Sequence, residues 1–270
     1  MSQSVEIGNV TCSFKATEAG GLLYTAIRDV SLAVQDGEFV SIVGPTGCGK
    51  STLLNVTAGL LRPSSGSVTV FGEPLNELNR HAGYMFQADA LLPWLTAREN
   101  VSLGLELGGM AKTEAAGVAQ KWLNRVGLSA HGSRYPYQLS GGMKKRVALA
   151  QCLVMQPKII LMDEPFSALD VQTRQLMENE LLEIWSEEKM SVLFVTHDLE
   201  EAISLADRVV VLSAGPAACI LAEFPVEIER PRDVTEIVQS PRYLQVHKEI
   251  WNCLKVEVLK SHARSRSGAN

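Results

Sequence analysis

Residues 38–52 read EFVSIVGPTGCGKST, an apolar run that leads directly into a glycine-rich loop. The apolar run predicts a buried strand, and the segment Lys50–Leu60 after the loop has the length of a helix. The pattern GxxxxGKS at 44–51 predicts a phosphate-binding loop, because phosphate oxygens approach the backbone most closely where side chains are absent. Free N–H groups at the start of the following helix favour the same anion.

Two side chains of this loop have a predicted role. We expect Lys50 to reach the β- and γ-phosphates of a nucleotide, and the hydroxyl of Ser51 to bind Mg²⁺. Cys48 also lies in the loop, and we interpret it as a bystander rather than a redox site. A glycine-rich structural turn is the alternative interpretation of the motif. The candidate phosphate-binding residues are Gly44, Pro45, Thr46, Gly47, Cys48, Gly49, Lys50, Ser51 and Thr52.

Two carboxylates follow a second apolar run, IILMDE at 159–164. Ligands gather at the carboxyl ends of the strands in a parallel α/β sheet, so these carboxylates are candidates for the same site. We expect Asp163 to face Mg²⁺ and Glu164 to polarise an attacking water. Strands often end in solvated acidic residues, so this pair indicates a functional site only in combination with the phosphate-binding loop.

A second anion site is predicted at LSGGM, residues 139–143. Ser140 suits the N-cap of the helix that follows, and Gly141 and Gly142 leave its first N–H groups accessible. The cations at 144–146 lie in the first turn, where the helix macrodipole disfavours positive charge. A positive patch beside a phosphate would resolve this conflict, and a solvated basic face is the alternative.

The rest of the chain alternates strands and helices around a helical region. Apolar runs separated by helices predict a mainly parallel sheet that is covered on both faces. Between 87 and 155 the pattern is helical, with a capping box at Thr96 and Glu99. Asp36-Gly37 predicts a tight hairpin turn, and the end of the chain, 260–270, predicts a frayed tail. The predicted strands are Val5–Cys12, Arg28–Val34, Glu38–Val43, Ser67–Phe71, Gly83–Phe86, Ile159–Met162, Val192–Thr196 and Arg208–Leu212, and the further predicted helices are Ala115–Val126, Met143–Met155, Val171–Glu188 and Leu199–Leu205.

The composition excludes several classes of protein. Of 270 residues, 46% are hydrophobic and 20% are charged, which excludes disordered, collagen-like and coiled-coil chains. The net charge of -5 argues against a dedicated nucleic-acid binder. No uninterrupted apolar run approaches the length of a membrane span, and the first residues lack the pattern of a signal peptide. Five scattered cysteines indicate neither a disulfide framework nor a metal site, so we expect a reduced, cytosolic location.

Six motifs, taken in order, resemble the nucleotide-binding subunits of ATP-binding-cassette (ABC) transporters, over about Val5–Leu221. GPTGCGKST at 44–52 resembles the Walker A motif, Gln87 the Q-loop glutamine, LSGGM at 139–143 the signature motif, IILMDE at 159–164 the Walker B motif, SALD at 167–170 the D-loop, and His197 the switch histidine.

The chain departs from the family pattern at two places. Met143 replaces the glutamine that most signature motifs carry, and Gln151-Cys152 stands where many relatives have Ala-Arg-Ala. Neither position carries phosphate chemistry.

The resemblance implies an α/β fold with a RecA-like P-loop ATPase core, an N-terminal antiparallel β portion and an inserted helical subdomain at about 87–155. It implies an ABC ATPase domain over 1–221 and a short C-terminal extension over 222–270. It also implies a head-to-tail dimer, formed by two copies or with a paired ATPase subunit. In that dimer the phosphate-binding loop of one subunit and the signature motif of the other enclose each ATP.

Residue roles also follow from the resemblance. Phe14 would stack on the adenine, and Tyr24 is the rival because the stretch 15–23 lengthens the gap to the phosphate-binding loop. Plain core packing is the alternative for Phe14. The implied catalytic residues are Glu164, His197 and Gln87, the implied Mg²⁺ ligands are Ser51, Gln87 and Asp163, and the implied ATP contacts of the signature motif are Ser140, Gly141 and Gly142.

Two longer stretches, 83–107 and 224–251, resemble ATPases of importers for nitrate, sulfonate, taurine and related compounds. This subgroup implies two separate transmembrane permease subunits and, indirectly, an extracytoplasmic solute-binding protein, with no nucleic-acid partner. It also implies a peripheral location on the cytoplasmic face of the inner membrane. We expect the apolar loop at Leu91, Leu92, Pro93 and Trp94 to contact a permease helix, with internal packing as the alternative.

Two other classes of function remain as alternatives. A soluble ABC ATPase that is not coupled to transport would usually carry two cassettes, a long coiled coil or a basic surface. A small-molecule kinase or GTPase on the same phosphate-binding loop would leave LSGGM and SALD unexplained, and the sequence contains no NKxD motif.

Overall fold

The computed structural model describes residues 2–15, 23–88 and 90–267. The chain divides into two compact units. The first unit comprises Met1–Arg80 and Lys189–Asn270, and the second comprises His81–Glu188. Among the described residues, no helix combines the length and the apolar character that spanning a bilayer requires.

Strands and helices alternate along most of the chain, as the sequence predicts. The strands are β1 (Gln3–Lys15), β2 (Leu23–Gln35), β3 (Phe39–Val43), β4 (Ser65–Val70), β5 (Glu73–Pro74), β6 (Ala82–Met85), β7 (Ile159–Asp163), β8 (Ser191–Thr196), β9 (Arg208–Leu212) and β10 (Ile220–Pro225). The helices are α1 (Lys50–Thr57), α2 (Ala97–Leu107), α3 (Lys112–Arg125), α4 (Gly141–Leu153), α5 (Val171–Glu188), α6 (Leu199–Leu205) and α7 (Pro241–Ser267).

The N-terminal part of the first unit is an antiparallel sheet with the strand order β2-β1-β4-β5. In β2, Val30, Leu32 and Val34 are buried while the residues between them are more exposed. That alternation is typical of a sheet with one face on the core and the other toward solvent. This sheet is the antiparallel β portion that the resemblance implies.

The strand β3 lies inside a second sheet of the first unit. It pairs in parallel with β8 on one side and with β9 on the other, and β10 pairs antiparallel with β9. All five residues of β3 and all six of β8 are buried. Strands that are apolar on both faces belong in a sheet that is covered on both sides, and β3 and β8 have this environment.

The residues Asp36-Gly37 form a turn but not the predicted hairpin. β2 ends just before the turn and pairs with β1, whereas β3 begins just after it and pairs with β8 and β9. The hairpin prediction is wrong because β2 has a solvent face and β3 has none. Strands with these two burial patterns belong to different sheets.

The second unit contains the parallel strands β6 and β7 and the four helices α2–α5. Thr96 and Glu99 form the predicted capping box at the start of α2, with Thr96 N donating to Glu99 Oε2 at 2.9 Å and Glu99 N to Thr96 Oγ1 at 3.3 Å. The hydrogen bonds from the backbone and side chain of Thr96 lower the pKa of Glu99. The buried face of α3 consists of Ala115, Ala119, Trp122 and Leu123.

Three predicted elements have the observed bounds, most of the others differ by a few residues at their ends, and the end of α1 differs for a clear reason. The bounds of α5, α6 and β9 agree with the prediction. The helix α1 ends at Thr57 rather than at Leu60, because Gly59 adopts a left-handed φ of 72°. The N–H of Leu60 then donates to the carbonyl of Asn55 at 2.9 Å, which closes the helix.

The C-terminal part of the chain adds β10 and α7, which the sequence reasoning missed. The predicted frayed tail is wrong over 260–267, because α7 continues through Ser267, and 268–270 lie outside the described residues. The side chain of Glu257 is buried in α7, and its Oε2 accepts the N–H of Ala214 at 2.8 Å. The buried stripe that anchors α7 consists of Tyr243, Val246, Ile250 and Leu254, at helical spacing.

We expect Gly59→Ala to destabilise the first unit. A Cβ at this position would lie 2.0 Å from the carbonyl oxygen of Glu77, and φ is already left-handed. The free energy of unfolding, measured by urea denaturation, should fall by about 2–4 kcal/mol. Gly72→Ala is the matched control, because its φ is 81° but nothing lies within 4 Å of a Cβ there. It should lose only about 1 kcal/mol, and equal losses would contradict the steric explanation.

Candidate functional site

The glycine-rich loop of the first unit connects β3 to α1. Gly47 and Gly49 have φ angles of 76° and 99°, which other residues rarely adopt. A Cβ on Gly44 would lie 2.8 Å from Cys48 Sγ, and one on Gly49 would lie 2.5 Å from Ile27 Cγ2. Gly49 is the N-cap of α1 and supplies no side-chain cap. The first N–H groups of a helix point out of its N-terminus, so a helix that begins at a glycine suits an anion site.

The Lys50 side chain is buried and lies across the loop. Its Nζ donates to the carbonyl oxygens of Gly44 at 3.0 Å and Pro45 at 3.2 Å. A cation held on the loop's own backbone is well placed to meet phosphate oxygens that enter the loop. Of the loop residues, Gly44, Pro45, Cys48 and Lys50 are buried, Gly49 and Thr52 are half-buried, and Thr46, Gly47 and Ser51 are exposed.

His197 follows β8 as Gly44 follows β3. Val43 and Thr196 are register partners in the parallel pair of β3 and β8. The next residue of each strand is therefore Gly44 in one case and His197 in the other, so the two leave the sheet side by side. The His197 side chain is exposed there. Strand register thus brings this predicted residue to the phosphate-binding loop.

Phe14 and Tyr24 are register partners at the end of the β1–β2 pair. Their side chains are 39% and 47% exposed, so the alternative of plain core packing for Phe14 is wrong. Gly215 lies close to both Tyr24 and the phosphate-binding loop. A Cβ on Gly215 would lie 3.9 Å from the Tyr24 hydroxyl and 3.2 Å from the carbonyl oxygen of Gly47. Residues 16–22 of the connecting stretch lie outside the described residues.

In the second unit, β6 and β7 bring Gln87 and Glu164 together. Met85 and Met162 are register partners, and the two candidates follow them by two residues each. Gln87 Nε2 donates to Glu164 Oε2 at 3.3 Å. Glu164 has a φ of 45°, a strained conformation for a residue with a side chain. Its carbonyl accepts the hydroxyl of Ser167 at 3.0 Å, which holds the turn.

Asp163 is the last residue of β7 and is buried. Burial and the negative charge of Asp163 raise the pKa of Tyr84. Among the described residues, no group of three or more His, Cys, Asp or Glu could hold a metal ion. Mg²⁺ is commonly bound by one or two carboxylates together with waters and substrate phosphates, and it prefers oxygen donors. The carboxylate of Asp163 and the amide oxygen of Gln87, both in the second unit, are oxygen donors of this kind, and so is the hydroxyl of Ser51 in the first unit.

Ser140 is the N-cap of α4, as predicted. Its exposed side chain accepts a first-turn N–H at 3.3 Å. A Cβ on Gly141 would meet nothing within 4 Å, whereas one on Gly142 would lie 2.7 Å from Thr173 Cγ2 in α5. Thr173 also donates its N–H and its hydroxyl to Asp170, at 2.9 and 2.7 Å. Gly142 therefore allows the LSGGM segment to pack closely against the start of α5.

The cations that follow this cap do not form the predicted positive patch. Lys145 is 3% exposed, and its Nζ donates to the carbonyl of Gln87 at 2.8 Å. Arg146 pairs with Glu180 at 2.8 Å. The prediction is wrong for these two residues because α4 turns them into the second unit. The sequence analysis did not predict the burial of Lys145, although helical spacing places it on the buried face with Leu149, Cys152 and Leu153.

Asn100 holds the apolar loop at 91–94 from within, and the sequence reasoning missed it. Its buried Oδ1 accepts the N–H of Leu92 at 2.7 Å, and its Nδ2 donates to three carbonyls within 92–96 at 3.0–3.2 Å. Leu91 is buried, so the predicted partner contact is wrong for that residue. Trp94 is 69% exposed and is available to a partner.

Comparison with known families and proteins places the chain among transporter ATPases. A model of the ABC transporter family matches residues 27–167, just over half of the chain. The chain is 46% identical to an uncharacterized ABC transporter ATP-binding protein of Methanocaldococcus jannaschii over 261 residues. The alignment covers 97% of this chain and 95% of that protein. It is 44% identical to the nitrate import ATP-binding protein NrtD of Synechococcus elongatus (84% of this chain, 83% of that protein). It is 43% identical to the bicarbonate transport ATP-binding protein CmpD of a Synechocystis species (83% and 80%).

Solved structures show the same relationship. A dimeric ATP-binding cassette in a post-hydrolysis state, bound to ADP and phosphate, is 34% identical, with a TM-score of 0.74. The match covers 83% of this chain and 100% of that one. The likeness confirms the predicted α/β fold class, a RecA-like P-loop ATPase.

We expect Lys145→Met to loosen the segment that carries Gln87. The substitution removes a charged donor to the Gln87 carbonyl, and such bonds contribute about 1.5–3 kcal/mol. Amide hydrogens of residues 85–88 should exchange about tenfold faster or more, measured by hydrogen exchange. Lys144→Met, which removes the half-buried cation one residue earlier, is the control and should leave exchange unchanged. Equal protection in Lys145→Met and the unaltered chain would contradict the expectation.

Proposed function

This chain belongs to the ABC transporter family, and we propose that it is the ATP-hydrolysing subunit of an importer for a small solute. As a family member it is an ATPase coupled to transport. The contact of Gln87 Nε2 with Glu164 Oε2 at 3.3 Å carries the proposal, because it pairs an amide with the carboxylate that would act on water. In this proposal residues 1–221 form the ATPase domain, with a helical subdomain at about 87–155, and 222–270 form a short C-terminal extension.

Hydrolysis in this proposal begins at the phosphate-binding loop. The N–H groups of the loop and the ammonium of Lys50 bind the phosphates of ATP. In this proposal Ser51, Gln87 and Asp163 would hold Mg²⁺, which would supply positive charge to the phosphates of the nucleotide. Glu164 polarises the attacking water, and its strained backbone and its bond to Gln87 limit the directions in which the carboxylate can point. His197, beside the loop, contacts the γ-phosphate.

A second copy, or a paired ATPase subunit, would complete each site. Ser140 is exposed at the start of α4, and Gly141 has open space around it. The N-terminus of α4 is thus open to the terminal phosphates of an ATP held by the other subunit. The related cassette bound to ADP and phosphate is a dimer, which supports this arrangement. Closure on ATP and opening after phosphate release would provide the mechanical step.

Two separate membrane permease subunits would receive that motion. The exposed Trp94 indole, on a loop that Asn100 holds in shape, offers an apolar contact to a permease helix. NrtD is named for nitrate import and CmpD for bicarbonate transport, which supports a small solute of the nitrate, sulfonate or taurine type. An extracytoplasmic solute-binding protein would deliver it. The chain would then be a peripheral subunit on the cytoplasmic face of the inner membrane.

We expect Glu164→Gln to keep ATP binding, trap an ATP-bound dimer and abolish turnover. The amide preserves the shape of the side chain but cannot act as a base, and such groups contribute roughly 10²–10⁴-fold to rate. Phosphate release measures turnover, and size-exclusion chromatography with Mg²⁺ and ATP measures the dimer. Glu73→Gln in exposed β5 is the control and should behave like the unaltered chain. Hydrolysis at the original rate by Glu164→Gln would overturn the role given to this carboxylate.

Replacement of the two aromatic residues tests the adenine contact. We expect Phe14→Ala to weaken ATP binding about tenfold, because base stacking contributes about 1–3 kcal/mol, and Tyr24→Ala to change it less than about twofold. Titration with a fluorescent ATP analogue measures both. The reverse result would assign the stacking to Tyr24. Unchanged binding by both variants would contradict an adenine contact at this end of β1 and β2.

A further inference from the structure

The motif RPRD at 230–233 lies in one of the stretches that resemble importer ATPases, and the hydrolysis described above does not use it. Arg230 and Arg232 belong to the first unit and bond to the C-terminal end of α6. This helix begins two residues after His197. The motif therefore contacts the far end of the helix that His197 precedes.

Arg232 caps the last carbonyls of α6. Its side chain is 8% exposed. Its Nη1 donates to the carbonyl of Ala206 at 2.7 Å and approaches those of Ser204 and Ile203 at 3.4 and 3.5 Å. Its Nε and Nη2 donate to the carbonyl of Ile228 at 3.1 and 2.7 Å. The last carbonyls of a helix lack intrahelical partners, so a cation there is favourable for hydrogen bonding and for the macrodipole.

Arg230 adds a second bond to this end of the helix and ties it to β3. Its Nη2 donates to the carbonyl of Leu205 at 2.7 Å, and its Nη2 and Nε contact Asp207 Oδ1 at 2.8 and 3.0 Å. The other carboxylate oxygen of Asp207 accepts the N–H of Phe39, the first residue of β3, at 3.0 Å. The end of α6 is thus fixed to the strand that leads into the phosphate-binding loop.

The start of α6 is bonded to both neighbours of His197. Asp198 is the N-cap, and its Oδ1 accepts the N–H groups of Glu200 at 2.8 Å and Glu201 at 3.4 Å. The Thr196 hydroxyl donates to Glu201 Oε2 at 2.6 Å, and both residues are buried. The N–H of Asp198 donates to the same hydroxyl at 3.0 Å. A displacement of the first turn of α6 would therefore move His197.

We propose that Arg230 and Arg232 are positioning residues for His197 and act through α6. The inference rests on the proposed function, in which His197 contacts the γ-phosphate. α6 has seven residues, and a helix this short is not stable by itself. Its placement depends on the bonds at its two ends and on its packing. The two guanidinium groups hold one end, and the other end holds the residues on either side of His197.

A purely structural role would be to fasten the C-terminal extension to the first unit. That role predicts a loss of stability without a selective effect on the chemical step. Arg242 provides a matched control in the same extension. It donates to the carbonyls of Pro225 and Val226 at 3.2 Å each and pairs with Glu227 at 2.9 Å, and none of these partners is in α6.

The test compares kcat and KM for ATP hydrolysis in Arg230→Met, Arg232→Met and Arg242→Met, with His197→Ala as the reference. Thermal melts set a temperature at which every variant is folded. We expect the first two variants to lower kcat about tenfold and to change KM less than about twofold, because the phosphate-binding loop is unaltered. Arg242→Met should stay within about twofold in both constants. Arg232→Lys, which keeps one cationic donor, should lose only about threefold and replaces Arg232→Met if that variant does not fold.

Three results would overturn the proposal: original kcat values in folded Arg230→Met and Arg232→Lys, an equal loss of kcat in Arg242→Met, or a rise in KM in place of the fall in kcat. Failure of the proposed function is distinguishable from these results. In that case the unaltered chain would hydrolyse no ATP, or His197→Ala would leave hydrolysis unchanged.

Discussion

The alignment of parallel strands is the constraint on which the candidate site depends. Val43 pairs with Thr196 in the first unit, and Met85 pairs with Met162 in the second. Within each pair the two strands end side by side, so the residues that follow them lie next to each other. A slip of one residue would turn every side chain of β3 or β7 to the opposite face, disrupt the packing on both faces, and separate the residues that follow the paired strands. Core burial and site geometry are therefore one property of these strands.

The sequence predicted the local features well, and it predicted long-range partners poorly. The bounds of α5 and α6 and the cap at Ser140 depend on residues close in sequence, so spacing and capping rules suffice. The hairpin at Asp36-Gly37 was wrong because turn chemistry does not show which sheet the next strand joins. The supporting role of Asn100 was missed because an isolated polar residue on a helix gives no sign of the loop that it will support. The role of Lys145 was missed because it lies among three consecutive cations that suggested a surface patch.

Buried cations explain how several irregular segments keep their positions. Lys50, Lys145 and Arg232 are 5%, 3% and 8% exposed, and each donates to main-chain carbonyl oxygens. Burial of a charge is costly unless its donors are satisfied. Burial and the charge of Arg230 lower the pKa of Arg232 to about 10, which leaves it charged at neutral pH. The carbonyl partners satisfy the donors of these side chains, so each of the three fixes a stretch of backbone.

The carboxylate of Glu257 connects α7 to the surroundings of the phosphate-binding loop. It accepts the N–H of Ala214, a residue 43 positions earlier, and the adjoining Gly215 lies against the backbone of Gly47. A protein truncated just before Glu257 would lose this support of the phosphate-binding loop, although it would keep all six motifs. Fusion to another protein is therefore best placed after α7, because the fused chain then keeps both the last helix and the loop that it supports.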